Sequence, residues 1–303
     1  ARIVKQHRIN VVCIGELVAG SWLGIALRKA LGTRLIIYVH GEEVTGAASG
    51  RLHGNKRRDY LNEADKVVAV SSLACDALTQ QMGLRAEQVS LVQNGVDTDR
   101  FTPGERDPDL VQKYGLEGKK VVLTLASLAS HGGADMGIRA MAKVIRLRPD
   151  VHYLIVGDGD GALRPELERL IAKEDLGAHI TLVGPVSEPD LVRYFRLCDL
   201  FLMPDRPAPD GDTEAFGLAS REANACGKPV ISGAVDAVVD GQSGYLVDGE
   251  DADNIAEKVL SVLGSEDLAA FLGARGLEIA RASSTREVAK RFVQIAERVL
   301  RQH

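Results

Sequence analysis

The sequence predicts an α/β chain built as two domains, each a parallel sheet with helices on both faces. Three observations carry that prediction. Apolar runs of about four to six residues alternate with longer amphipathic stretches along the chain, the pattern of buried parallel strands joined by crossover helices. Two such series are present, separated by the polar stretch Thr102–Asp109 (TPGERDPD), whose prolines and glycine mark a linker. The composition is globular, with 45% hydrophobic and 26% charged residues, and 303 residues suffice for two domains of ordinary size. The expected bounds are 1–104 for a first Rossmann-like domain, 105–284 for a second, and 285–303 for a carboxy-terminal helix returning to the first.

In the first series, Asn10–Ile14 (NVVCI) reads as a strand and Trp22–Leu31 as a helix stopped by Gly32. Leu35–Val39 (LIIYV) is a strand that delivers His40, and Val67–Val70 (VVAV) is another. Ser71-Ser72 can cap the helix that follows, to about Met82. Val89–Val92 is a fourth strand, ending at Asn94-Gly95. In the second series, strands are expected at Lys120–Leu125, Tyr153–Val156, Ile180–Val183, Leu200–Met203, Pro229–Ile231 and Tyr245–Val247. Helices are expected at Met136–Leu147, Leu163–Lys173, Pro189–Leu197, Phe216–Cys226, Ala252–Leu263, Leu268–Ala280 and Thr285–Leu300. The first domain opens on an amphipathic segment, Ala1–Gln6, and its four strands make it look incomplete beside the usual doubly wound half.

Charge and cysteine usage exclude several classes. A net charge of −5 leaves no general basic footprint for nucleic acid. The run Lys56-Arg57-Arg58 reads as a solvated face. Cys13, Cys75, Cys198 and Cys226 show no metal-ligand spacing and read as buried free thiols of a reducing cytoplasm. No apolar run approaches the roughly 18 residues that span a bilayer. The opening residues ARIVKQHRIN lack the apolar core of a signal peptide. The expected location is cytoplasmic, with peripheral contact at the inner face of a membrane as an option.

One segment carries chemistry. The strand Leu200–Met203 runs into a polar loop, 204–213 (PDRPAPDGDT), and then into the helix Phe216–Cys226, stopped by Gly227 and Pro229. Ligands of open α/β sheets bind at the carboxyl ends of the strands. A helix starting there offers unpaired N–H groups and the positive end of its dipole, which suits a phosphate. Glu214 and Glu222 flank that site, and carboxylates accept hydrogen bonds from the paired hydroxyls of a sugar or ribose. A phosphate between two polyols describes a nucleotide sugar. The spacing alone is equally compatible with a surface helix carrying two unrelated glutamates.

The run EAFGLASRE at 214–222 resembles the E-x7-E signature of the family 4 retaining glycosyltransferases, which have the two-domain GT-B fold. Further runs resemble the family in order: VHGEE at 39–43, VVAVSS at 67–72, QNGVDTDRF at 93–101, YLIVGDGD at 153–160, VGPV at 183–186, ANACGKPVIS at 223–232 and VVDGQSGYLVD at 238–248. The long acidic loop before EAFG is most similar to phosphatidylinositol mannosyltransferase-like members. The resemblance implies that Glu214 holds the donor sugar's hydroxyls and that Phe216, Gly217 and Leu218 offer amides to the diphosphate. It implies that Glu222 binds the ribose, that Val183, Gly184 and Val186 line the base slot, and that His40 faces the sugar across an interdomain cleft. The substrates implied are a UDP- or GDP-sugar and an acceptor that is a lipid, a glycan or a small molecule. No cofactor or metal is implied, because retention in the family is explained by front-side attack with the leaving phosphate taking the acceptor's proton.

The chain also departs from the family. Where the family carries G-R-L-x-x-x-K-G, whose Arg and Lys grip the donor phosphates, this chain has 126–133, ASLASHGG. Ser127 stands for the Arg and Gly132 for the Lys. Losing one preorganised oxyanion donor costs on the order of 10²–10³ in rate, and losing both on the order of 10⁴. His131 lies beside them, but an unperturbed pKa of about 6.5 makes it a weak substitute. After Ile231 the chain passes from Ser232-Gly233 straight to AVDAVVDG, without the family's Gly-Gly pair. In the family, the first strand, a glycine-rich loop and most of the acceptor surface precede the stretch that these residues match. The alternative reading is therefore a catalytically weakened nucleotide-sugar-binding or scaffold protein on the same fold. A nicotinamide dehydrogenase is disfavoured, since no G-x-G-x-x-G follows a first strand.

Overall fold

The computed structural model of the chain describes residues 1–41, 43–44, 51–52, 55–125, 133–157, 163–206 and 217–301. In chain order the elements are α1 (Arg2–Gln6), β1 (Val11–Ile14), α2 (Leu17–Leu31), β2 (Arg34–Val39), the short pair β3 (Arg51–Leu52) and β4 (Asn55–Lys56), α3 (Arg57–Asn62), β5 (Lys66–Ala69), α4 (Ser72–Asp76) and β6 (Val89–Leu91). There follow α5 (Pro108–Tyr114), β7 (Lys120–Leu125), α6 (Ala134–Leu147), β8 (Val151–Val156), α7 (Leu163–Lys173), β9 (Ile180–Gly184), α8 (Leu191–Leu197) and β10 (Leu200–Met203). The chain ends with α9 (Leu218–Ala225), β11 (Val230–Ser232), β12 (Gly244–Leu246), α10 (Ala252–Leu263), α11 (Glu266–Ala282) and α12 (Thr285–Arg301).

The chain divides into two compact units. One holds Ala1–Gly95 and Thr285–His303, the other Val96–Ala208 and Gly217–Ser284. The boundary lies earlier than 104/105 because 96–101 belongs to the second core. Val96 bridges to Ser284, and Phe101 packs edge-on against Phe195 with ring centroids 5.7 Å apart. The linker reading of 102–109 misses α5, which starts on Pro108 with the Asp107 carboxylate capping Asp109 and Leu110.

In the first unit four parallel strands lie in the order β1-β2-β5-β6. Alternation of side chains builds two cores. Leu35, Ile37, Val39, Val67 and Ala69 face Leu17, Leu61 and Leu78 on one side. Ile36, Val68 and Val92 face Ile295 and Val299 of α12 on the other. Helix α2 begins five residues before the expected Trp22. Glu16 caps it, its carboxylate accepting from Val18 N at 2.6 Å and Ala19 N at 2.9 Å, and left-handed Gly32 ends it. Lys56 and Arg58 are exposed, as a solvated face requires, while Arg57 between them is half-buried and donates to the Glu43 carbonyl at 2.5 Å. The expectation of four buried thiols needs correcting. Cys13 is exposed, because β1 is an edge strand, while Cys198 and Cys226 are buried.

In the second unit six parallel strands lie in the order β12-β11-β10-β7-β8-β9. The chain runs outward from β7 through β8 to β9, then returns to β10 beside β7 and runs outward the other way. The strand order therefore reverses between β7 and β10, and a ligand crevice is expected at their carboxyl ends. Val122, Tyr153, Ile155, Leu200 and Leu202 meet α6 and α10 on one face. Leu123, Leu154, Phe201 and Met203 meet α8 and α9 on the other. A buried chain of hydroxyls ties the reversal point, with Tyr153 Oη 2.6 Å from Thr124 Oγ1, which donates to the Leu202 carbonyl at 2.5 Å.

Candidate active site

The helices that follow the two central strands start differently from their neighbours. Side chains of Asp107, Asp251 and Ser265 cap α5, α10 and α11, while α8 continues from a 3-10 turn. Helices α6 and α9 start on glycines in the left-handed conformation, Gly133 and Gly217, with no side-chain cap. Their first helical bonds are Gly137 N to Gly133 O and Arg221 N to Gly217 O. The amides of 134–136 and 218–220 thus have no acceptor within their helices. Two positive helix ends meet the carboxyl edge of the sheet where its order reverses.

Helix α9 begins at Leu218, not at Phe216, so the amides it presents are those of Leu218, Ala219 and Ser220. Gly217 precedes the helix rather than lying in its first turn. Its φ of +61° and the Ala237 Cβ, 2.6 Å from where a side chain would start, both require glycine. The Ser220 hydroxyl is fully buried with no partner among the described residues. Glu222 sits one turn into the helix. Burial, opposed in part by Arg100 and aided by Glu188, pushes its carboxyl up to about 7. It has no hydrogen-bond partner among the described residues.

Arg100 and Glu188 tie Glu222 to the loop after β9. Arg100 donates to the Glu188 carboxylate at 2.8 Å and to its carbonyl, and lies 4.8 Å from the Phe101 ring centre. Two residues before Glu188, Val186 packs with Val183 and Ala219 against the core that α9 covers. Gly184 closes β9 at φ +87°, and its carbonyl accepts from Gly157 N at 3.0 Å. Val183, Gly184, Val186, Gly217, Leu218 and Glu222 all belong to the second unit.

A cation also stands at the reversal point. Arg206, just past β10, makes a two-point contact with Asp135 in the first turn of α6, at 3.3 and 3.0 Å. The backbone before it is held by glycines. A Cβ on Gly133 would collide with the Pro204 carbonyl, and one on Gly233 or Gly249 with the Asp205 carbonyl. Arg221, by contrast, is buried and committed to the Asp236 carbonyl at 2.7 Å.

In the first unit, His40 follows β2. Its Nε2 lies 2.8 Å from the Gly15 carbonyl, which makes that nitrogen the donor and leaves Nδ1 as the acceptor. The buried Glu43 carboxylate accepts from the amides of His40 and Gly41 at 2.9 and 3.0 Å and so fixes the turn. Sequence reasoning passed over Glu43, Ser220, Arg100 and Arg206. A glutamate three residues beyond the histidine was the available signal for the first. Ser127, His131, Gly132, Glu214 and Phe216 lie outside the described residues. Among the described residues no group of three or more His, Cys, Asp or Glu could hold a metal ion, and no helix is long and apolar enough to cross a membrane.

Two family models match the chain, "Glycosyltransferase Family 4" over residues 1–100 and "Glycosyl transferases group 1" over 107–278. A GDP-mannose-dependent α-(1-6)-phosphatidylinositol monomannoside mannosyltransferase of Mycolicibacterium smegmatis is 33% identical over 91% of this chain and 72% of its own length. This chain is a family 4 glycosyltransferase. A D-inositol 3-phosphate glycosyltransferase of the same organism is 34% identical over 70% of the chain and 48% of its own length. Among solved structures, a glycosyltransferase of Rickettsia africae matches with a TM-score of 0.82 at 22% identity, covering all of this chain and 80% of that one. HepE of Anabaena in complex with UDP matches at 0.80 and 21% identity, over 98% and 81%. At those identities the likeness concerns the fold, and the fold of this glycosyltransferase is GT-B.

Proposed function

We propose that this glycosyltransferase is a retaining enzyme that takes a hexose from a nucleotide-sugar donor bound at the β7/β10 crevice. The observation that carries the reading is the pairing of an α9 amino terminus that starts on left-handed Gly217 with the half-buried Glu222 one turn along it, which has no hydrogen-bond partner among the described residues. The amides of 218–220 then hold the diphosphate, and Glu222 accepts from the ribose hydroxyls beside a base resting on Val183–Val186. The family resemblance assigns Glu214 and His40 to the donor sugar. In the transfer, the bond from the anomeric carbon to the leaving phosphate oxygen breaks with its electron pair. The acceptor oxygen bonds to that carbon from the same face, and its proton passes to the phosphate.

A GDP-mannose-like donor is favoured, since the relatives that span most of the chain are named for GDP-mannose. The relatives' named acceptors share an inositol phosphate unit, which supports a polyol phosphate acceptor, free or borne on lipid. A lipid-borne acceptor would bring the enzyme to the cytoplasmic face of a membrane. The test is turnover of GDP-mannose, UDP-glucose and UDP-N-acetylglucosamine with inositol phosphate and phosphatidylinositol mannoside acceptors. Proton NMR of the product reads the anomer. Transfer with an α-product from an α-donor is expected, and an inverted product would sink the retaining mechanism. Ser127 and Gly132 favour a second reading, a weakened enzyme that binds nucleotide sugars. Tight nucleotide binding with no turnover on any donor would select it.

A further inference from the structure

We propose that Arg206 supplies the positive charge that the donor diphosphate meets in this chain, with Asp135 as the carboxylate that it leaves when the donor binds. The inference rests on the donor-binding reading above. Transfer builds negative charge on the leaving diphosphate, and the two positions where the family places cations are Ser127 and Gly132. Amides alone give partial charges. A full charge must come from elsewhere at the same crevice.

Three arginines of the second unit bear on the choice. Arg221 is buried and bonded to the Asp236 carbonyl. Arg100 is committed to Glu188 and stacked on Phe101, beside the ribose end of the site. Arg206 lies three residues past the end of β10, the strand that borders the crevice. Its guanidinium grips Asp135 through two nitrogens, at 3.3 and 3.0 Å. That fork geometry fits two oxygens of a phosphate equally well.

The pair is built to exchange partners. The two side chains are 21% and 32% exposed, so solvent and a ligand can reach both partners of the ion pair. Asp135 lies in the first turn of α6, where the positive helix end stabilises a carboxylate without help from an arginine. Releasing Arg206 therefore leaves no buried, uncompensated charge. The backbone it hangs from is fixed, because Gly133, Gly233 and Gly249 pack against the Pro204 and Asp205 carbonyls. In the transfer step Arg206 stays protonated. It holds the diphosphate oxygens as the bond to the anomeric carbon breaks, and the acceptor's proton goes to the phosphate.

The experiment titrates guanosine, GMP and GDP into the full chain and its Arg206→Gln, Arg206→Lys and Asp135→Asn variants, with GDP-mannose turnover measured beside. Arg206→Gln is expected to weaken GDP at least tenfold while leaving guanosine within twofold, and to lower kcat by on the order of 10²–10³. Arg206→Lys should recover part of both losses. Asp135→Asn breaks the same ion pair but keeps the cation, and should bind GDP at least as tightly as the wild type. If Arg206→Gln and Asp135→Asn weaken GDP alike, the pair is structural and the assignment falls. Unchanged GDP affinity and turnover in Arg206→Gln also overturns it. A wild type that binds guanosine, GMP and GDP equally, or binds neither GDP nor UDP, overturns the donor-site reading together with this assignment.

Discussion

The two ends of the second sheet treat their charges in opposite ways. At the amino ends every carboxylate in view is satisfied. Asp199 accepts from Val121 N at 2.7 Å and from the Arg106 guanidinium, with the Lys120 ammonium 4.0 Å away. Asp150 takes both Arg148 nitrogens at 2.9 and 2.8 Å, and the hydrogen bond to Arg148 holds its carboxyl below the usual range. At the carboxyl ends Glu222 is desolvated without a partner among the described residues, and two helices begin without side-chain caps. Burial without compensation costs stability. A fold that satisfies one edge and leaves the other wanting shows where a ligand supplies the missing hydrogen bonds.

The contrast can be broken most forcefully at the glycines that start the uncapped helices. Gly133→Ala puts a methyl group into the Pro204 carbonyl, and Gly217→Ala puts one against Ala237, each at positive φ. We expect losses of about 3–5 kcal/mol for the first, in which strain and overpacking add, and about 1–3 for the second, by urea denaturation. At the satisfied edge, Asp199→Asn should cost about 1–3 kcal/mol and leave nucleotide affinity unchanged. A loss of affinity there would erase the distinction between the two edges.

Glu222 gives the contrast a pH dependence. Burial pushes its carboxyl up to about 7 in the folded chain from the ordinary glutamate value of 4.5. Between those values the folded state holds a proton that the unfolded chain has lost. Stability therefore falls as pH rises through that window, and is insensitive to this group below it. Glu222→Gln should flatten the fall, measured as Tm between pH 4.5 and 8. Ribose hydroxyls donate to the ionised form, so GDP affinity should rise between pH 6 and 8 in the wild type alone. The smallest effect is expected from Ser220→Ala. Its hydroxyl has no partner among the described residues, so stability should stay within about 0.5 kcal/mol, while a modest drop in GDP affinity would place the hydroxyl on the phosphate.

The strands of both units were legible in the sequence because each is a short, largely apolar run, and the central ones are buried on two faces. Lys120–Leu125 and Leu200–Met203 agree to the residue. Helix starts were less legible. Glu16 and Asp107 cap helices one turn before apolar periodicity becomes visible, and left-handed Gly217 delays α9 past Phe216. Of the candidate site, Glu222 was singled out by the resemblance of the run 214–222 to the E-x7-E signature, not by spacing alone. The ion pairs of the site were not legible in this way. Arg100 lies 88 residues from Glu188, and Arg206 lies 71 from Asp135. No local pattern records a pairing that only the strand order creates.

The central claim is that the unsatisfied edge binds a nucleoside diphosphate through α9 and Glu222. Calorimetric titration of GDP and UDP into the wild type and Glu222→Ala tests it most directly. The account predicts saturable binding of at least one nucleotide, weakened by about 1–3 kcal/mol in the variant with Tm at pH 6 unchanged or raised. Equal affinity in the two proteins would show that the ribose does not meet Glu222.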